Sequence, residues 1–247
     1  MTFVLVHGAW HDARCWQLLV PLLRTHGHRV ITPDLPGHGA SPLPPARSTL
    51  KACVAAVAAL VDASATPVVL VGHSMAGVII TELAARIPKQ IAHLVYLCAY
   101  LPNDGDSVFK LIARNRGHEP MTGIELALTM SDDKRTCTVD AAAVIPLFYS
   151  STPPQLANEA KDRLGVQGSL PLAAEVHYDA AALATVPTSY ICCSGDRVIP
   201  LHHQRRMLAA HPHMAVRELS SDHSPFLSCP DRLAQVLLEI AGDQRRL

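Results

Sequence analysis

A chain of 247 residues, 49% hydrophobic and 17% charged, is too apolar for a disordered segment and has the size of one large α/β domain. Lys plus Arg and Asp plus Glu each total 21, so no net field recruits nucleic acid or an acidic membrane surface, and a small neutral or weakly charged molecule is the expected partner. No apolar run approaches the roughly 20 residues that span a bilayer, because Gly, Pro or a charged residue interrupts each one.

In chain order, Phe3 to Val6 reads as a strand, with no basic n-region before it, so nothing directs secretion. A helical pattern from Cys15 to His26 follows, then a strand at Arg29 to Thr32, a helix at Leu50 to Ala63 and a strand at Val68 to Val71. The alternation continues with a helix at Ala76 to Ile87 and a strand at Leu94 to Cys98. It breaks over residues 101–183, where helical patterns occur at Asp106 to Arg114, Ala141 to Tyr149 and Gln155 to Leu164 but no buried strand is apparent. It resumes with strands at Ser189 to Cys193 and Ala215 to Leu219 and helices at His202 to Ala210 and Pro230 to Ala241. Strand and helix in turn predict a parallel sheet covered on both faces, and the break predicts a helical cap inserted into one domain that spans residues 1–247.

The run Val68-Val69-Leu70-Val71-Gly72-His73-Ser74-Met75-Ala76-Gly77 carries the strongest chemical signal. A strand that meets a serine among very small residues and passes at once into a helix is a nucleophile elbow, where crowding forbids bulk on either side of the serine. Ala76 stands where glycine is usual, and it is small enough to serve. A serine hydroxyl needs a base, and among 14 histidines position decides: His223 lies in Ser220 to Phe226, after the last strand and before the last helix. Asp196, in Ser194-Gly195-Asp196 after the penultimate strand, is the expected acid that orients the imidazole, with Asp222 as its rival. His73 is read as packing. Backbone N–H groups of Met75 and of Ala9, in the loop His7-Gly8-Ala9-Trp10-His11, are the expected oxyanion donors. Trp10, His11, Phe109, Phe148 and Tyr149 are candidate lining of the substrate pocket. The route requires neither metal nor organic cofactor.

Cys15, Cys53, Cys98, Cys137, Cys192, Cys193 and Cys229 are an odd set without framework spacing, which predicts free thiols in a reducing, cytoplasmic setting. Cys192 and Cys193 would point to opposite faces of a strand, so they cannot share a metal. Asp34-Leu35-Pro36-Gly37-His38-Gly39 lacks the lysine and spacing of a phosphate cradle and reads as a tight structural loop. Oligomeric state is open, a homodimer included.

With His7-Gly8-Ala9-Trp10-His11, the Asp34 to Gly39 loop, Gly72-His73-Ser74-Met75, Gly195-Asp196 and Asp222-His223 in this order, the chain resembles the α/β-hydrolase superfamily. More narrowly, it resembles the branch of plant hydroxynitrile lyases, plant methylesterases of the salicylate-binding methyl salicylate esterase type, and related bacterial carboxylesterases. The resemblance implies a parallel sheet of about six strands, a helical cap after the fourth, and a serine nucleophile with no cofactor. The lyases of this branch place a threonine or asparagine after the first-loop histidine, and typically a lysine after the catalytic histidine. Gly8 and Ser224 stand there in this chain, which points to hydrolysis of a small ester, with cyanohydrin cleavage, acyl transfer to an alcohol and slow-turnover ligand reception as alternatives.

Overall fold

A computed structural model describes residues 1–116 and 123–242; residues 117–122 of the insertion expected at 101–183 lie outside them. The strands of the described residues are, in chain order, β1 (Thr2–Val6), β2 (Arg29–Ile31), β3 (Val68–His73), β4 (Ile91–Leu97), β5 (Leu128–Met130), β6 (Thr136–Val139), β7 (Gln167–Gly168), β8 (Thr188–Cys193) and β9 (Ala215–Leu219). Six form one sheet in the order β2-β1-β3-β4-β8-β9, with each pairing parallel. Residues of β1 and β3 are buried without exception, as unbroken apolar runs must be when helices cover both faces of a sheet. Strand order reverses between β1 and β3, and in open α/β sheets ligands bind beyond the carboxyl ends of the strands at such a switch point.

The chain enters its first long helix later than periodicity alone suggests. Ala13–Trp16 is a separate 3-10 turn, whose N-cap Asp12 accepts the amide of Arg14 at 2.8 Å, and α1 covers only Leu19–Thr25. Pro21 explains the break: proline fits a first helical turn, where its missing N–H is not needed, but not the interior of a helix running from Cys15. Helix α2 (Leu50–Asp62) is capped by Thr49, whose Oγ1 accepts the amide of Ala52 at 3.1 Å. Helix α3 (Ala76–Arg86) is buried along nearly its whole length, and its one acidic residue, Glu82, is paired with Arg86 on the next turn. It is tied to the sheet through Thr81 Oγ1, 2.6 Å from the hydroxyl of Tyr96.

The stretch between β4 and β8 differs from an all-helical insertion. Helices Val108–Arg116, Ala141–Phe148 and Pro154–Asp162 stand close to the expected positions, but β5, β6 and β7 form a small antiparallel sheet among them. The β-branched Thr136, Thr138 and Val139 favour extended backbone, and Lys134, at φ 56°, turns the chain from β5 into β6. Strands of 3, 4 and 2 residues carry too few positions for a period of two to show in the sequence.

All seven cysteines are free thiols. Among the described residues no helix is long and apolar enough to cross a membrane.

Candidate active site

Loops leaving the carboxyl ends of β1, β3, β8 and β9 bring the candidate residues to one edge of the sheet. Ser74 sits between β3 and α3 at φ 54°, a left-handed conformation that costs a side-chain-bearing residue about 1–3 kcal/mol. The strain is held by neighbouring backbone: the amide of Ser74 donates to Leu97 O at 3.3 Å, and Tyr100 N and Gly77 N each donate to Ser74 O at 3.1 Å. Small residues are required on both sides of the turn. A Cβ on Gly8 would meet Ser74 Cβ at 2.7 Å and His73 Nδ1 at 2.9 Å, one on Gly72 would meet Ile80 Cδ1 at 2.7 Å, and one on Gly77 would collide with the carbonyl of Tyr100.

His223 is fully buried, and its Nδ1–H donates to Asp196 Oδ2 at 2.7 Å. That bond fixes the tautomer, so Nε2 carries the free lone pair. Nε2 is itself buried with no hydrogen-bond partner among the described residues; it and the Ser74 hydroxyl are not hydrogen-bonded to each other here. Hydrogen bonds that serve a reaction are often long or open in a resting enzyme and close around the substrate. Asp196 is locked from behind: its Oδ1 accepts the amides of Val198 and Ile199, each at 2.8 Å.

Asp222, the rival acid, points elsewhere. Its Oδ2 accepts Ser151 N and Thr152 Oγ1, each at 2.9 Å, and its Oδ1 accepts Ser224 N at 2.9 Å. With Asp222 N donating to Ser151 Oγ at 3.1 Å, it clamps the loop of His223 to the insertion.

Two supporting residues escape a reading by position in the chain. Gln204 is fully buried; its Oε1 accepts Cys193 N at 3.1 Å and its Nε2 donates to Ile199 O at 2.7 Å, which pins both ends of the turn that carries Asp196. Its signal is a lone amide four residues before Leu208, on the buried stripe of helix Leu201–Ala209. His73, read as packing, also donates from Nε2 to the carbonyl of His223 at 2.8 Å, with the two rings 4.6 Å apart.

The first loop is braced by neutral imidazoles. His7 donates from Nδ1 to Gly8 O at 2.8 Å and accepts Leu35 N on Nε2 at 3.0 Å. His11 donates from Nδ1 to Ala9 O at 2.9 Å and accepts the Tyr149 hydroxyl on Nε2 at 2.9 Å. Burial, with His38 nearby, lowers His7 to about 3, and burial lowers His11 to about 4. Burial and the neighbouring His223 hold His73 well below the ordinary range. The unfolded chain binds these protons near pH 6.5 while the folded chain refuses them, so this contribution is complete above about pH 6.5 and is lost as pH falls towards about 4. Urea unfolding at pH 7 and pH 5 is expected to show a loss of about 2 kcal/mol for each of His7 and His11; equal stability at the two pH values would mean that these rings are protonated in the fold.

Ala9, Trp10, Ser74, Met75 and Phe109 share the wall of one narrow cavity. No hydrogen bond joins the amides of Ala9 and Met75 to another described residue. His11 and Tyr149 line a different cavity, with Asp12, Cys15 and Arg163. Phe148 is buried between the two, in ring contact with Trp10 at 6.0 Å and His223 at 5.6 Å. The loop from Asp34 braces this edge: Asp34 accepts Ala13 N and Ala40 N, each at 2.8 Å, and Gly39 at φ 52° passes where a Cβ would strike the carboxylate.

Residues 3–236 match the alpha/beta hydrolase family. A pyrethroid hydrolase from Sphingobium wenxiniae is 30% identical over 248 residues, covering 96% of this chain and 86% of the relative. Methylesterase 1 of Arabidopsis thaliana is 29% identical over 252 residues, covering 97% and 95%. The solved structure of a pyrethroid hydrolase from Sphingobium faniae JZ-2 superposes with a TM-score of 0.87 at 27% identity, over 99% of this chain and 98% of that one.

Proposed function

The chain belongs to the alpha/beta hydrolase family, and we propose that it is a serine carboxylesterase that cleaves small carboxylic esters through an acyl-enzyme. The observation that carries the reading is the 2.7 Å bond from His223 Nδ1 to Asp196, which leaves a basic Nε2 within a site whose one strained serine stands at the elbow. The relatives named as a pyrethroid hydrolase and a methylesterase support the choice of an ester bond.

In this mechanism Ser74 Oγ attacks the acyl carbon while Nε2 of His223 takes its proton, and Asp196 stabilises the resulting imidazolium. The N–H groups of Ala9 and Met75 receive the negative charge of the tetrahedral intermediate, each worth roughly 10²- to 10³-fold in rate. His223 returns the proton to the departing alkoxide, then draws one from water, whose attack frees the acid and restores Ser74. The segment between β4 and β8 acts as a cap, and Asp222 keeps one end of it docked beside the base.

With p-nitrophenyl acetate, a burst of nitrophenol equal to one per chain, followed by slower turnover, is expected. Release of cyanide from mandelonitrile without ester cleavage would replace the esterase with a lyase.

A further inference from the structure

Resting on the esterase reading, we infer that the cavity beside Ser74 receives an uncharged, apolar group of the ester and that Trp10 and Phe109 set the size of the group it accepts. Its far wall is built by Val108, Phe109 and Ile112 from one helix of the insertion and by Ile124, Leu128 and Leu172 from later elements of it. Among the described residues no lining side chain is charged, and only Ser74, Tyr100 and Trp10 carry a polar side-chain group, that of Trp10 being an N–H already bonded to Cys137 O. Burial keeps the Tyr100 phenol in its neutral form. An ammonium or carboxylate entering this space would lose its water and find no counter-ion, which is the costliest transfer a site can impose on a ligand.

Trp10 is a fixed wall. It adopts φ 62°, its amide donates to Gln167 Oε1 at 3.3 Å, and its indole N–H donates to Cys137 O at 3.1 Å. Gln167 is anchored in turn, accepting His38 Nε2 at 2.8 Å and donating to Gly168 O at 2.7 Å. Both N–H groups of Trp10 are thus consumed by the small sheet of the insertion, so the indole cannot swing aside without breaking a buried bond, and it offers a ligand carbon surface only. Phe109, on the helix opposite, is part-buried against the core and has no polar group at all. Discrimination therefore runs through shape and desolvation, with no ion pair to reward a charged substrate.

The test uses matched ester pairs at pH 7. One is p-nitrophenyl hexanoate against mono-p-nitrophenyl adipate, which varies the acyl side; the other is hexyl acetate against 6-acetoxyhexanoate, which varies the alcohol side. At least one pair should favour the neutral ester by a hundredfold or more in kcat/KM, and the pair that responds shows which side of the ester enters the cavity. In that series Trp10→Ala and Phe109→Ala should each shift preference at least tenfold towards a branched 2-ethylhexyl or 2-ethylhexanoyl group, with Trp10→Phe in reserve should the alanine variant fail to fold. Hydrolysis of charged and neutral partners at equal rates would overturn the pocket while leaving the esterase standing. A uniform loss across all esters in these variants would overturn their role in sizing. No hydrolysis of any ester by the wild type would remove the esterase reading, and this inference with it.

Discussion

Replacing Ser74 with alanine is expected to lower kcat by about 10⁶-fold, the scale lost when a triad acts as one unit, with thermal stability almost unchanged. The hydroxyl is the only group removed, and in the resting structure it supports nothing: the hydrogen bonds that hold the elbow come from the backbone of Ser74, through Leu97, Gly77 and Tyr100. Alanine keeps the same Cβ at φ 54°, so no strain is relieved and no new clash appears. What survives should be the roughly 10³-fold acceleration that oxyanion donors and substrate binding give without a nucleophile. Steady-state kinetics on p-nitrophenyl acetate, beside a melting curve, reads both halves; a loss below a hundredfold would point to a different nucleophile.

Asp196→Asn is expected to cost on the order of 10⁴-fold in kcat, and the hydrogen bonds around the carboxylate explain why so small a change is so damaging. Val198 N and Ile199 N both donate to Oδ1, so an asparagine must keep its oxygen on that side. Its NH₂ then faces Nδ1 of His223 and can only donate, which drives the ring proton to Nε2 and blocks the lone pair that takes the proton of Ser74. Asp222→Asn makes the opposite pattern: kcat should change by less than about tenfold, while stability falls by about 1–3 kcal/mol as an NH₂ confronts donors from Ser151, Thr152 or Ser224. If Asp222→Asn proved the more damaging to kcat, the acid would be misassigned.

The sheet was legible because β1 and β3 are buried throughout and β4 and β8 along most of their length, and each reads as a short apolar run bounded by turns and followed by a helical pattern. The elbow was legible for a steric reason, since the small residues Gly72, Ala76 and Gly77 leave room for the turn; that Gly8 also packs against Ser74 Cβ is seen only in the fold. Asp196 and His223 follow β8 and β9, and because those strands are parallel neighbours their loops open at the same edge. Less could be read where tertiary contacts decide. The strands β5 to β7 are stabilised by pairing with one another across some 40 residues and have no periodicity of their own. Gln204 resembles an ordinary surface glutamine until helix Leu201–Ala209 is laid against β8, and nothing in Asp222-His223 announces that the aspartate reaches away to Ser151 and Thr152. His11 and Tyr149 were read with the substrate pocket from proximity to the first loop and from aromatic character; they bond to each other and line a neighbouring cavity.

Treatment with diethyl p-nitrophenyl phosphate, followed by peptide mass spectrometry, tests the central claim most directly, because the reagent modifies a serine only when a base activates it. The account predicts one diethylphosphoryl group per chain, carried by Ser74, with labelling abolished in His223→Ala. Modification of another residue, or labelling of Ser74 at the same rate without the imidazole, would contradict it.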